Sequence, residues 1–156
     1  MAFFGDEHDF AKFPELSNAE IAAFGFASPH EQIVSDFSAV VVKVHDGDTV
    51  TLRCDFRDFD FPLRFGSIDA PELNTGVPGE EARDFLAGMI EGESVLVKID
   101  PLNRVEKWGR LLGDVVIGGQ VVGEILLQAG YALPFERRRE GEIPDLNKVL
   151  EVKQWF

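Results

Sequence analysis

One cysteine and one tyrosine stand among the 156 residues, and basic side chains are outnumbered, 15 lysines and arginines against 28 aspartates and glutamates. The lone cysteine, Cys54, excludes an internal disulfide; in a strand-like stretch it reads as a small buried apolar residue. His8, His30 and His45 are scattered, and with one cysteine they complete no zinc set. No apolar run approaches the ~20 residues of a membrane span, so no membrane association is expected. Met1 to Glu7 has no basic region leading into a sustained apolar stretch, so no secretory signal is expected there. A cytoplasmic location is the expectation, with association to a virus or phage particle as the alternative.

The shortage of positive charge has the widest consequence. At a formal net charge of −13, the chain repels a polyanion at distance, whereas most non-specific nucleic-acid binding is driven by neutralising phosphates. A polyanionic substrate would have to be held by a local cluster of cationic groups, screened from the remaining surface beyond ~10 Å at 0.1 M salt. The expected binding is weak and salt-sensitive.

What is present falls into two parts. Residues 1–36 hold Asp6, Glu7, Asp9, Glu15, Glu20, Glu31 and Asp36 against Lys12 alone, interleaved with Phe3, Phe4, Phe10, Phe13, Leu16, Ile21, Phe24 and Phe26. That is too aromatic for a solvated tail. Ser17-Asn18-Ala19-Glu20 predicts a capping box and a short helix ending near Gly25. This extension is expected to pack on the domain or to dock a protein partner or second subunit; a monomer is the simpler state, with a dimer as the alternative.

Residues 37–156 read as the main domain. Strands are predicted over 38–44, 50–56, 61–68, 94–99 and 110–117, with Asp46-Gly47 as a hairpin signal between the first two. A helix is predicted from Gly79-Glu80-Glu81, with Ala82, Phe85, Leu86, Met89 and Ile90 at helical spacing. A second runs through Val121, Val122, Ile125, Leu126 and Ala129 and is closed by Gly130, and a last short one is placed over 145–155. The order suits an α+β, mostly β fold: a five-stranded OB-fold barrel with two to three packed helices.

Three motifs could carry chemistry: Asp46 to Thr49, the run from Arg64 to Glu72, and Lys107 to Arg110. Asp46-Gly47-Asp48-Thr49 is by itself a tight turn or a source of metal-binding carboxylates. Asp69-Ala70-Pro71-Glu72 is equally a strand exit, with proline ending the ladder. Arg64 lies mid-way in an apolar strand, where a buried guanidinium requires a carboxylate or phosphate partner unless it faces water. Arg110, after Lys107-Trp108-Gly109, reads as a strand-surface charge or a phosphate ligand. Together they supply hard oxygen donors suited to Ca²⁺, a candidate base for water and two arginines able to grip phosphate oxygens in pairs. Arg137-Arg138-Arg139, flanked by Glu136 and Glu140, is a solvated turn or a backbone-tracking patch.

In these motifs, residues 38–135 resemble a staphylococcal-nuclease-like (thermonuclease) domain. The resemblance implies a Ca²⁺ site made by Asp48, Asp69 and the backbone carbonyl of Ala70, with Asp46 shaping the turn. It implies Glu72 as general base or water-orienting residue, Arg64 as a clamp on the scissile phosphate, and Arg110 as stabiliser of the transition state or leaving group. Lys107 and Trp108 fall where that family contacts a terminal phosphate and sugar. The implied activity is calcium-dependent endonucleolytic hydrolysis of single-stranded DNA or RNA, leaving 3′-phosphate ends. The chain departs from the family's type member in a short, lysine-free loop over 73–79, in having Pro134-Phe135-Glu136 near the place of the tyrosines that line the type member's nucleotide pocket, and in its acidity. The alternative is a nuclease-like domain retained as a nucleic-acid or protein binding module.

Overall fold

The computed structural model describes residues 9–71, 76–106 and 109–135. In chain order they form α1 (Asn18–Phe24), a 3₁₀ turn (Gly25–Ala27), β1 (Phe37–Asp46), β2 (Thr49–Arg53), β3 (Phe61–Phe65), β4 (Ile68–Asp69), α2 (Val77–Ile90), β5 (Ser94–Lys98), β6 (Leu111–Ile117), β7 (Gln120–Val121), α3 (Val122–Gln128) and β8 (Leu133–Pro134).

Ala39, Val41 and Val44 point inward from β1 while Ser38, Val40 and Lys43 face out. Strict alternation would turn residue 43, not 44, to the core. Register shifts between Val41 and Lys43 and between Val44 and Asp46 reset it, and such bulges bend a strand around a barrel. β1 pairs antiparallel with β2 on one side and β5 on the other, β2 with β3, and β5 with β6. A parallel pairing of β3 with β6 closes the ring. The result is the five-stranded barrel expected, closed by one parallel seam, with β7 extending β6 and a separate β4–β8 pair at one end. Val41, Val50, Leu52, Phe61, Leu63, Phe65, Val97 and Val115 fill its interior.

Among the described residues three helices accompany the barrel. Ala82, Leu86 and Ile90 recur every four residues on α2 and are wholly buried. This helix starts two residues before Gly79, because Pro78 sits in its first turn, where a missing N–H costs nothing. α3 buries Val122, Gly123 and Leu126 and ends as anticipated, with Gly130 at φ 81° and the Tyr131 amide bonding back to the Leu126 carbonyl. The run predicted over 61–68 is split at Gly66-Ser67, so that Ile68–Asp69 pairs with Leu133–Pro134 instead. No described helix is long and apolar enough to cross a membrane. The helix predicted over 145–155 and the 137–139 arginines lie outside the described residues.

Residues 13–33 lie against the barrel. α1 carries the capping box: Ser17 Oγ accepts from the Glu20 amide at 3.2 Å and Glu20 Oε1 accepts from the Ser17 amide at 2.9 Å. Just before it, the fully buried Glu15 carboxylate accepts from Arg57 Nη2 at 2.5 Å, Arg104 Nη2 at 3.0 Å and the Ile33 amide at 3.1 Å. Arg104 also donates to the carbonyls of Ile33 and Leu16, and Arg57 to that of Glu31. Arg57 lies 4.6 Å from the Phe61 ring centroid. Neutralising Glu15 strands two buried guanidinium groups, so Glu15→Gln is expected to lower unfolding free energy by roughly 3–5 kcal/mol. Urea denaturation measures this, and a loss below ~1 kcal/mol would mean that the network is not what holds the segment.

Candidate active site

Strand register assembles the centre of the site. Thr49 pairs with Arg64 across β2 and β3, and Arg64 pairs with Leu112 across the parallel seam. Asp48 is therefore one residue from one neighbour of Arg64, and Arg110 two residues from the other. The Phe65 amide bonds the Asp48 carbonyl at 2.8 Å and clips the turn to β3. Asp69 is fixed from the far side through its pairing with Leu133.

The Asp46–Thr49 hairpin has Gly47 and Asp48 as its two loop residues. Neither has positive φ, so the Asp-Gly pair does not make the mirror-image turn that such a dipeptide favours. Glycine answers to space instead. A Cβ on Gly47 would stand 2.7 Å from Ala70 Cβ and 2.9 Å from Ala82 Cβ, inside contact distance. The bare Cα lets the loop seat between the Asp69-Ala70 exit and α2. The Asp46 carboxylate accepts from the Asp48 amide at 3.2 Å and braces the loop.

Arg64 is 8% exposed, which rules out the water-facing alternative. Its Nη1 donates to the carbonyls of Phe65 at 2.7 Å and Ile68 at 2.9 Å and lies 3.3 Å from Asp48 Oδ2. Its Nη2 donates to Asp69 Oδ1 at 2.8 Å. Both aspartates thus converge on one guanidinium. Among the described residues Nε–H makes no hydrogen bond and Nη2 makes only the one to Asp69, which leaves donor capacity for further oxygens. Asp48 also accepts from the Thr49 hydroxyl at 3.1 Å and the Ala70 amide at 2.8 Å.

Burial pushes Asp48 up to about 8, with the neighbouring Asp46 adding to the rise while Arg64 and the Ala70 amide oppose it. An ion pair at 3.3 Å would by itself hold a carboxyl low. Here desolvation by burial outweighs the Arg64 charge.

Arg110 is held differently. Its Nε and Nη2 reach the two oxygens of Glu106 at 3.0 and 3.1 Å, and its Nη1 lies 3.4 Å from Thr49 Oγ1. The Glu106 pairing raises its pKa further. Its side chain is 34% exposed. Thr49 links it to Asp48, so both arginines meet at that carboxylate. Glu106 was not anticipated; its place four residues before Arg110 was the available signal. Glu72, Lys107 and Trp108 lie outside the described residues. His45 is exposed and bonds Thr51 Oγ1, away from Asp48.

Among the described residues no three His, Cys, Asp or Glu side chains stand together as a metal site. The donor chemistry nonetheless fits a hard cation. Two nearly buried carboxylates share one guanidinium, and one of them carries a raised pKa that a divalent charge would relieve.

The sequence profile of the Staphylococcal nuclease homologue family matches residues 62–154. The Staphylococcal-like nuclease CAN1 of Arabidopsis thaliana is 34% identical over 83 residues, 51% of this chain and 24% of that protein. Protein ParB of Escherichia coli is 36% identical over 97 residues, 62% of this chain and 50% of that protein. An uncharacterized protein of Bacillus anthracis is 29% identical over 98 residues, 60% of this chain and 45% of that protein. The match thus spans between about a quarter and half the length of these relatives.

Two variants test the geometry. With no divalent cation, a carboxyl raised in the folded state contributes most stability below its unfolded pKa and loses it as pH rises toward 8. Asp48→Asn should therefore stabilise the protein by an amount that grows from pH 4 to 8, reaching roughly 1–3 kcal/mol. Denaturation at several pH values in EDTA reads this, and a flat difference would refute it. Gly47→Ala should destabilise by roughly 1–3 kcal/mol through overpacking against Ala70 and Ala82; an unchanged midpoint would mean that the loop relaxes freely.

Proposed function

The chain belongs to the staphylococcal nuclease homologue family, and from that premise we propose that it is a calcium-dependent endonuclease acting on single-stranded DNA or RNA. The observation that carries this reading is the convergence of Asp48 and Asp69 on Arg64, with Arg110 joined to the same carboxylate through Thr49. A binding module has no need of two nearly buried carboxylates around a guanidinium with donors to spare, a costly arrangement to keep without a ligand.

Asp48, Asp69 and the Ala70 carbonyl would hold Ca²⁺, with waters completing its shell. When bound, the ion supplies positive charge to the phosphate and an ordered water beside it. The chain's own residues then divide the work. Glu72 orients and deprotonates the attacking water, a role worth about 10²–10⁴-fold. Arg64 takes two non-bridging phosphate oxygens on its remaining donors, while its carbonyl and carboxylate bonds keep the plane of the guanidinium fixed before substrate arrives. Arg110 exchanges the Glu106 carboxylate for phosphate oxygens and stabilises charge building in the transition state, worth about 10²–10³-fold. Water bonds to phosphorus, the P–O5′ bond breaks, and the products carry a 3′-phosphate and a 5′-hydroxyl. Lys107 and Trp108 contact a terminal phosphate and sugar. The protein acts as a monomer, in the cytoplasm or on a particle to which residues 1–36 dock it, those residues forming an extension to the domain over 37–156.

Cleavage of a fluorophore-quencher single strand at low salt tests the reading. Turnover is expected with Ca²⁺, none with a chelator, and about a 10²-fold or greater loss in Glu72→Gln and Arg110→Ala. Arg64→Ala serves only if circular dichroism shows it folded, because it removes the guanidinium that Asp48 and Asp69 share. Ca²⁺ should also raise the thermal midpoint of the wild type and not of Asp48→Asn, since a ligand selective for the folded state stabilises it. A folded protein that cleaves neither DNA nor RNA and shows no calcium shift would leave the binding module standing.

A further inference from the structure

Gly109 sits at φ 88°, next to Arg110, and the Phe13 ring lies against it. An added Cβ on Gly109 would stand 2.6 Å from Phe13 Cδ1 and 3.2 Å from Cε1, so the aromatic edge occupies the space that any side chain would need. The same stretch of chain fastens the other flank. Arg104 donates Nε to the Ile33 carbonyl at 2.6 Å, Nη1 to the Leu16 carbonyl at 2.8 Å and Nη2 to Glu15 at 3.0 Å. Gln32 ties that segment into one unit, accepting from the Leu16 amide at 2.6 Å and donating to the Pro14 carbonyl at 2.9 Å.

Between these fastenings the backbone is drawn tight around Arg110. Its carbonyl accepts from the Glu106 amide at 2.9 Å, the Gly109 amide donates to the Glu106 carbonyl at 2.9 Å, and the Leu112 amide donates to the Arg104 carbonyl at 2.7 Å. Burial does not fix Arg110 as it fixes Arg64: the side chains are 34% and 9% exposed. Bonds to Glu106 and Thr49 hold Arg110 instead, and how well they place it depends on the backbone that carries Glu106 and Arg110. Beyond the Glu15 network, Phe13 reaches to the residue beside the arginine.

We propose that the N-terminal segment is a positioning element for Arg110, with Phe13 as the positioning residue. This rests on the reading of Arg110 as a stabiliser of the transition state. It assigns residues 13–33 a part in the reaction in addition to any docking role, and it makes the Gly109 contact the route by which that part is exerted.

The test uses the full chain with Phe13→Ala, Phe13→Leu, Arg110→Lys and the double variant Phe13→Ala/Arg110→Lys, each confirmed folded by circular dichroism. Phe13→Ala should lower kcat by ~10- to 100-fold, the cost of a small misplacement, with KM within about twofold. Phe13→Leu, which restores bulk, should recover most of the rate. In the Arg110→Lys background the same change should cost less than about twofold, because there is no arginine left to misplace. A wild-type kcat in Phe13→Ala, or a full loss persisting beside Arg110→Lys, overturns the proposal. A second readout does not depend on turnover. The Arg110 Nε–H signal, assigned by its loss in Arg110→Lys, should exchange with solvent several-fold faster in Phe13→Ala; an unchanged rate also overturns it. Faster exchange in a protein whose wild type cleaves nothing would uphold the positioning and sink only the nuclease reading.

Discussion

A single guanidinium organises both the barrel end and the chemistry placed on it. Arg64 bonds two carbonyls that flank the Gly66-Ser67 break, so it holds the chain where β3 gives way to β4. It also lies between Asp48 and Asp69, two nearly buried carboxylates, and gives each a positive partner. Remove it and the Asp46–Thr49 loop and the Asp69 exit lose their common partner, at a cost of several kcal/mol for an unpaired buried charge. The same arrangement fixes the plane of the guanidinium before any substrate is present. Preorganisation of this kind is what lets a hydrogen-bond donor act on a developing charge without first reorganising.

Much of this could be read from the chain, for reasons that are local. Ser17 and Glu20 specify a helix start by their own hydrogen bonds, and Ala82, Leu86 and Ile90 specify a buried face by spacing alone. Arg64 in an apolar strand announced a partner, because an unpaired charge there is too costly. What escaped was decided by pairs distant in sequence. The parallel β3–β6 seam closes the barrel, and nothing in either strand names the other. Gly47 looked like a turn former and turned out to be a space requirement set by Ala70 and Ala82. The buried Arg57 and Arg104 carried no local mark, since only their meeting with Glu15 makes burial tolerable.

The acidity of the chain takes on a different meaning at this scale. Around the described site two arginines face Asp46, Asp48, Asp69 and Glu106, so the ionised side chains alone sum to a negative charge. The raised pKa of Asp48 comes first from burial, with Asp46 beside it adding to the rise. A phosphodiester would meet repulsion there until something offsets it. On the proposed reading a divalent cation would offset it directly, and displacing Glu106 from Arg110 would free a second positive group for the substrate. That exchange replaces one bidentate oxyanion by another, so the arginine gives up little when phosphate takes the carboxylate's place. On the proposed reading, substrate affinity would be coupled to cation binding more tightly than in a basic nuclease. A basic surface attracts nucleic acid whether or not its metal is present; here the attraction would be confined to a site that the cation itself makes favourable.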